Sequence, residues 1–468
     1  MKLAVSADPE NAIIIRELLS VWEISWVSPR ESDVLVVYGR KPLERSRKTV
    51  LIPSNSTDFE SWTKHSKHIV AKKPGEPIFI AATPAINLSF TSEALYETDP
   101  AACKINDDFV IPKVDFVEEY KRILRQTLAV RSSVTYRLAT SLPLPYNFAP
   151  KGLRDYLMKK HDGRSKLNIC DTLPLDAVRF ALANAIEKAL KEKLHRKTWD
   201  HKPSVCVLTH DIDTKEGLQR SGKVKKLEEK YDLPSAWFIP SKQYSLDRET
   251  IEKLENNGEV GSHDIKHDGR LSHLSKKKLT ERLREGKKSL ESMTNHPVEG
   301  FRAPLLQHTS RILFGLGECG FKYDTSIPTW EPKHPRTMSP HGIGTLFPIR
   351  IEGMNEIPIT IIQDHQLLHV LCLTPKEAIT EWLSNMTLIK ELGGTCVFLS
   401  HPEYGLLDMQ GLPFYEELLN TLASDIQLLV VPPKKIPQLS VMPKDSCNAT
   451  NFGEVPTPLG GKIDSFFD

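Results

Sequence analysis

From about residue 203 the chain alternates short apolar runs with amphipathic segments, and this alternation constrains the fold more than any other feature. Strand candidates are Val205–Leu208, Ala236–Ile239, Glu259–Ser262, Gly300–Arg302, Ile357–Ile362, Thr395–Leu399 and Gln427–Val431. Helices are predicted around 247–256, 275–293, 308–319, 375–392 and 412–423. Strands separated by helices are joined most simply as parallel neighbours with crossover helices. About seven such strands predict a distorted, incomplete (β/α) barrel over residues 203–435, not a flat sheet.

The preceding residues read differently. Residues 1–110 predict a smaller α/β domain with strands at Leu3–Ser6, Val34–Tyr38, Val50–Pro53 and Ile78–Ala81. A helical segment between the first two carries Ile14, Leu18 and Trp22 on one face. Residues 111–202 read as a helical connecting region that packs this domain against the barrel. Asp115 is placed to cap a helix bearing Phe116, Tyr120, Ile123 and Leu124, and Val178, Leu182, Ile186 and Leu190 recur four apart between Leu175 and Leu194. Ser141–Lys151, rich in proline and aromatics, reads as a loop. The chain beyond Pro432 is rich in Pro, Ser and Lys, and residues 436–468 are expected to form a poorly ordered tail. Tyr38-Gly39-Arg40-Lys41 follows a strand but lacks a glycine-rich phosphate fingerprint, so no anion site is expected there.

Composition excludes several classes. The 468 residues carry a formal net charge of +2, with 40 % apolar and 26 % charged residues. A nearly neutral chain has no electrostatic case for nucleic acid or an acidic membrane surface. No run approaches the ~18 apolar residues of a membrane span. The seven cysteines are scattered and form no CxxC pair, so neither a zinc ribbon nor a disulfide framework is expected. The first residues have no apolar run of secretory length, and a reducing, cytoplasmic compartment is expected. The sequons at Asn55 and Asn448 are then chance matches.

Chemistry-bearing groups gather where strands end, as is usual in α/β folds. Thr209-His210-Asp211-Ile212-Asp213 follows the run Val205–Leu208. Asp211 and Asp213 are two apart, so on an extended segment both carboxylates point the same way. One can bind a metal while the other handles a proton; equally, an Asp pair after a strand can be turn chemistry and a helix cap. Gly261-Ser262-His263-Asp264-Ile265-Lys266-His267 places two histidines four apart. Together with Asp213 they make His, His and carboxylate with a position left for water, the layout of a catalytic metal site. Phe301-Arg302-Ala303-Pro304, Tyr323-Asp324-Thr325-Ser326 and Leu399-Ser400-His401-Pro402 come next along the chain. Taken singly, Arg302 could be a surface ion pair and His401 a satisfied core group. Asp364, His365 and His369 could form a second metal site or lie at the rim of the main one.

The order THDID, SHDIKH, FRAP, YDTS, LSH over residues 203–435 resembles the NodB-homology polysaccharide deacetylases (carbohydrate esterase family four), in a variant with an Asp-x-Asp pattern. The resemblance implies a distorted (β/α) barrel and metal-dependent hydrolysis of a non-peptide C–N bond, an N-acetyl group above all. By motif, Asp211 corresponds to the catalytic base; Asp213, His263 and His267 to the metal ligands; and Arg302 to the arginine positioning the base, braced by Asp324. His401 corresponds to the general acid, Leu399 to the apolar wall beside the acetyl methyl, and Leu305 to the backbone oxyanion contact. Zinc is the default ion for two His and one Asp, with manganese, cobalt, nickel or iron as alternatives. The chain departs from the family at His210, which stands for an aromatic, at Leu305, which stands for Tyr or Phe, and at the family tryptophan, for which Trp330 is the candidate. The expected substrate is an N-acetylated sugar or polysaccharide precursor, or a related small amide. The alternatives are an amidohydrolase on a non-carbohydrate amide and a catalytically silent barrel that binds glycan or acts as a scaffold. The N-terminal domain is expected to shape access or to pair subunits in a homo-oligomer.

Overall fold

The protein is seen here as a computed structural model, which describes residues 1–39, 48–52, 54, 109–112, 115–128, 174–332, 341–439, 441 and 443, with the strand backbones 68–70, 82–83, 86–87 and 103–105. Ile78–Ala81, Ser141–Lys151, Arg40, Lys41, Asn55 and all residues beyond 443 lie outside these. No helix among the described residues is long and apolar enough to cross a membrane.

The N-terminal strands are β1 (Lys2–Ser6), β2 (Ser25–Trp26), β3 (Val34–Tyr38), β4 (Thr49–Ile52), β5 (His68–Val70), β6 (Ala82–Thr83), β7 (Ile86–Asn87), β8 (Cys103–Ile105) and β9 (Phe109–Pro112). Seven of them form one sheet in the order β2-β1-β3-β4-β9-β8-β5, while β6 and β7 pair with each other. Helix α1 (Pro9–Leu18) starts where Asp8 accepts from the Asn11 N–H and Pro9 supplies a fixed φ. Helix α2 (Phe116–Leu128) is capped by Asp115, which accepts from the Val117 and Glu118 N–H groups. Helix α3 (Leu175–Leu190) packs on α1, α2 and this sheet. The predicted connecting helices thus complete the N-terminal layer. They also join it to the C-terminal half of the chain, because Asp176 accepts from Thr345 Oγ1 at 2.7 Å and from the Leu346 N–H at 2.8 Å. Arg179, fully buried, ties α3 to α1 through Glu17 at 3.2 Å.

The second sheet has nine strands: β10 (Ser204–Asp211), β11 (Ser235–Ile239), β12 (Gly258–Ser262), β13 (Gly300–Phe301), β14 (Tyr323–Asp324), β15 (Ile349–Ile351), β16 (Met354–Glu356), β17 (Thr395–Ser400) and β18 (Leu428–Val430). Its order is β15-β16-β14-β13-β12-β11-β10-β17, with β18 also on β10, and every pairing is parallel except β15 with β16. Helices α4 (Lys215–Lys230), α5 (Arg248–Glu255), α6 (Lys276–Glu291), α7 (Ser310–Glu318), α8 (Pro375–Leu392) and α9 (Leu412–Ser424) connect the strands. Strand β10 is buried throughout, and one of its edges is shared: β18 pairs with Ser204–Cys206 and β11 with Leu208–Asp211. This is the curled, incomplete barrel that the alternation predicts.

Four local readings need correction. The segment Ile357–Ile362 forms no regular strand, because Pro358 has no N–H to give a ladder. Instead it stitches the two ends of the curl together: Ile359 exchanges backbone bonds with Ile327 and Thr329, and the Ile361 N–H reaches the Val397 carbonyl at 3.3 Å. Strands β15 and β16 were not predicted; they form a hairpin whose turn residues Glu352 and Gly353 both have positive φ, 51° and 77°. Helix α4 was not predicted because its apolar stripe is thin, with Leu218 and Val224 among mostly charged neighbours. The chain after Pro432 is ordered at its start: Pro433–Gln438 forms a 3₁₀ helix with Ile436 buried, and the Lys434 N–H bonds Glu259 at 2.8 Å.

Candidate active site

Parallel strands carry their C-terminal ends to one side of the sheet, and the predicted residues meet there. Asp213 lies just past β10, and His263 just past β12. The Nε2 of His263 is 3.2 Å from Asp213 Oδ1 and 3.8 Å from Asp211 Oδ2, so both carboxylates face it. His267 Nε2 is 3.4 Å from Asp213 Oδ2. Among the described residues, Asp213, His263 and His267 are the group that brings ligand atoms within 4.8 Å of one another. Asp364, His365 and His369 form no such group.

The donor set fits a metal ion on two grounds. The first is the histidine tautomer. His263 Nδ1 lies 2.8 Å from the Arg302 carbonyl, which only accepts, so Nδ1 carries a proton and the neutral ring presents the Nε2 lone pair. The second is unsatisfied polarity: His263 Nε2 and Asp213 Oδ1 are buried 3.2 Å apart, and neither makes an aligned hydrogen bond, a costly state unless something else satisfies them. Burial favours the neutral form of Asp213, but His267, His263 and His401 outweigh it and hold the carboxyl below its usual range. Burial lowers His267, while for His263 the pull of Asp211 and Asp213 exceeds burial and raises it.

Arg302 is fully buried and spends its guanidinium on this site. Nη1 donates to Asp211 Oδ1 at 3.1 Å and to Thr209 Oγ1 at 2.8 Å; Nε and Nη2 donate to the carbonyl and hydroxyl of Thr325 at 2.8 and 3.0 Å. One oxygen of Asp211 is thereby fixed and the other is left toward His263. Asp324 does not brace the arginine by a hydrogen bond. It accepts from Ser326 Oγ at 2.7 Å, and Ser326 in turn accepts from the Ala303 N–H, so Asp324 holds the turn after Arg302. Thr325 takes the bracing position because side chains alternate along an extended segment. Asp324 also faces Glu356, its neighbour across the β14–β16 pair; burial lifts Asp324 to about 6 and Glu356 well above the carboxylate range.

His401 follows β17. Its Nδ1 is 2.7 Å from Asp364 Oδ1, and its backbone N–H donates to Asp364 Oδ2 at 2.8 Å. Burial lowers the imidazolium pKa, but Asp364 overrides it, with help from Asp213 and Asp211, and raises it to about 10. Two further carboxyls, Glu331 and Glu403, are each pushed up to about 8 by burial. Leu399 packs with Leu306 and Ile359 in a small apolar cluster apart from the main core. Leu305 and Leu306 both adopt left-handed backbone, φ 56° and 50°, the kind of strain that collects at functional turns.

Residues 198–323 match the family model for polysaccharide deacetylases. The chain carries a polysaccharide deacetylase domain. The peptidoglycan deacetylase of Helicobacter pylori is 27 % identical over 106 residues, which is 22 % of this chain and 36 % of that protein, so the match spans about a third of its length. Among solved structures, a protein of Mycobacterium smegmatis assigned to the polysaccharide deacetylases aligns with a TM-score of 0.44 at 18 % identity, covering 52 % of this chain and 92 % of its own. An allantoinase aligns with a TM-score of 0.37 at 14 % identity, over 51 % and 90 % of the two chains.

The fold brings Asp211, Asp213, His263, His267 and Arg302 of the matched residues to one place with His401, which lies beyond them. Sequence reasoning missed Thr209 and Thr325 as partners of Arg302. It also missed Asp364 as the group that orients His401; the signal was an acidic residue at the end of the segment that closes the curl. His210, the departure from an aromatic, is a buried core group: it contacts Glu228 at 2.7 Å and Ser400 at 2.9 Å and stacks on Trp237. Trp330 is half-buried against the core.

Proposed function

We propose that the chain is a metal-dependent hydrolase that removes the acetyl group from an N-acetylated sugar or polysaccharide precursor. The observation that carries this reading is the pair of orphaned, buried donor atoms on His263 and Asp213 beside the Arg302-held Asp211. Asp213, His263 and His267 are the ligands. A divalent ion bound there, zinc by donor type, supplies positive charge that acidifies a water and polarises an acetamide carbonyl. Asp211 takes the water's proton at Oδ2 while Arg302 holds Oδ1. His401 gives the leaving nitrogen a proton from Nε2, because Asp364 occupies Nδ1. Leu399, Leu306 and Ile359 form the wall that an acetyl methyl would meet, and the Leu305 backbone is assigned to the oxyanion.

The direct test is acetate release by zinc-loaded protein over N-acetylglucosamine oligomers, peptidoglycan fragments and simple non-sugar acetamides. Turnover of the sugars supports the reading. Cleavage confined to non-sugar amides would make the chain an amidohydrolase, and no turnover with metal bound would leave a silent barrel.

His401 also sets a pH dependence. It donates only while protonated, and its pKa of about 10 keeps it so through neutral pH, so kcat should fall as pH rises through that region. A bound cation shifts the limb downward, and so does loss of the Asp364 charge. In Asp364→Asn the alkaline limb of kcat should move toward the ordinary histidine value of about 6.5. A limb that stays where the parent has it would remove Asp364 from this role.

We also assign the chain to a reducing compartment. Cys206 and Cys396, neighbours across β10 and β17, are both free thiols. Thiol titration of freshly isolated, unfolded protein checks this assignment, and finding a single free thiol among the seven cysteines would contradict it.

A further inference from the structure

His263 and His267 are four apart but do not sit on a helix. Residues 263–268 form an irregular loop, and Asp264 within it has a left-handed backbone, φ 66°. A loop of this kind does not converge two imidazoles unaided, since each residue is free to choose another well. What holds it is a side chain from α6. Arg282 donates from Nε to both carboxylate oxygens of Asp264, at 2.9 and 3.0 Å, and from Nη2 to Asp264 Oδ2 at 2.6 Å. Nη1 and Nη2 donate to the two oxygens of Asp268, at 3.0 and 2.8 Å, and Nη2 also reaches the Lys266 carbonyl at 3.1 Å.

The guanidinium thus grips residues 264, 266 and 268, alternating with the ligands at 263 and 267. One turn further along α6, Gly286 lets the helix approach closely: a Cβ there would lie 3.3 Å from Ile265 Cγ2. On the opposite side, the Ser241 and Lys242 N–H groups bond the Asp264 and Ile265 carbonyls, and the His267 N–H bonds Gln243.

We infer that Arg282 is a positioning residue that preorganises the two histidine ligands by clamping the Asp264–Asp268 loop. The inference rests on the metal-centre reading proposed for Asp213, His263 and His267. Arg282 touches neither ligand ring, so it acts through the backbone between them. Lysine keeps the charge but cannot make the planar, forked contact with two carboxylates.

The test compares the full-length parent with Arg282→Lys in zinc affinity, by chelator competition, and in the absorption spectrum of the cobalt-substituted site. Melting of the metal-stripped proteins is followed alongside. We expect zinc binding about 10–100-fold weaker and an altered cobalt spectrum, with the metal-stripped variant still folding cooperatively. Should Arg282→Lys fail to fold, Asp268→Asn, which weakens the clamp from the other side, carries the same comparison. A parent that binds zinc and a clamp variant that binds it equally well, with the same cobalt spectrum, overturns the assignment of Arg282 alone. A parent that binds neither ion overturns the metal-centre reading and this inference with it.

Discussion

Asp211→Asn should lower kcat by about 10²–10⁴-fold, the range general-base catalysis supplies, while zinc content stays at the parent's level. Asparagine has the shape of aspartate and can still accept from Arg302 Nη1 through its carbonyl oxygen, so the guanidinium keeps its Thr209 and Thr325 partners. What it lacks is a group able to take a proton. The three ligand residues are untouched, which separates loss of the base from loss of the metal. Elemental analysis and single-turnover acetate release on the same preparation measure both quantities. Parent-like turnover in the variant would sink the role of Asp211, and loss of zinc together with activity would place Asp211 among the ligands instead. The second outcome has a geometric route, because Asp211 Oδ2 is 3.8 Å from His263 Nε2.

The second large effect concerns the metal itself. His263→Ala/His267→Ala removes two of the three donors, and one carboxylate is too weak a site for zinc. Metal content should fall from about one per chain to background, and acetate release should become undetectable. The variant should still fold. The sheet beneath depends on buried apolar strands such as β10 and β11, and His263 contributes to them chiefly through the Arg302 carbonyl. Circular dichroism and the oligomer-independent melting profile check this. Stripping the parent with a chelator should reproduce the loss and added zinc should reverse it. Equal activity in parent, stripped parent and double variant would rule out metal chemistry at these residues.

The two tests divide the site along the line that the fold draws. In the proposed reading Asp213, His263 and His267 form the ligand set, Asp211 and His401 handle protons, and Arg302 and Asp364 hold those two groups in place. Asp211 and Asp213 belong to one strand end, yet they serve different halves because Arg302 captures an oxygen of the first and no hydrogen-bond partner takes Oδ1 of the second.

Much of this was legible in the residue order. Apolar runs of strand length separated by helical periodicity dictate parallel strands with crossovers. Chemistry-bearing residues at the ends of those runs must then converge, since parallel strands share a direction. That argument, joined to the motif order shared with the polysaccharide deacetylases, reaches Asp211, Asp213, His263, His267, Arg302 and His401 without coordinates. It does not reach Asp364 as the partner of His401, because that contact spans 37 residues and depends on how Ile357–Ile362 closes the curl. Nor does it reach Thr325 in place of Asp324. The pleat decides which of two neighbours faces the arginine, and a slip of one residue in reading exchanges them. Arg282 was invisible for a similar reason: on a helix with so many charges, nothing in the spacing distinguishes the one that turns inward. Local chemistry thus determined most of the element types, the direction of the sheet and which chemistry-bearing groups gather at the strand ends. Tertiary structure alone decided which groups hold and tune them, because hydrogen bonds between distant segments depend on curvature and register.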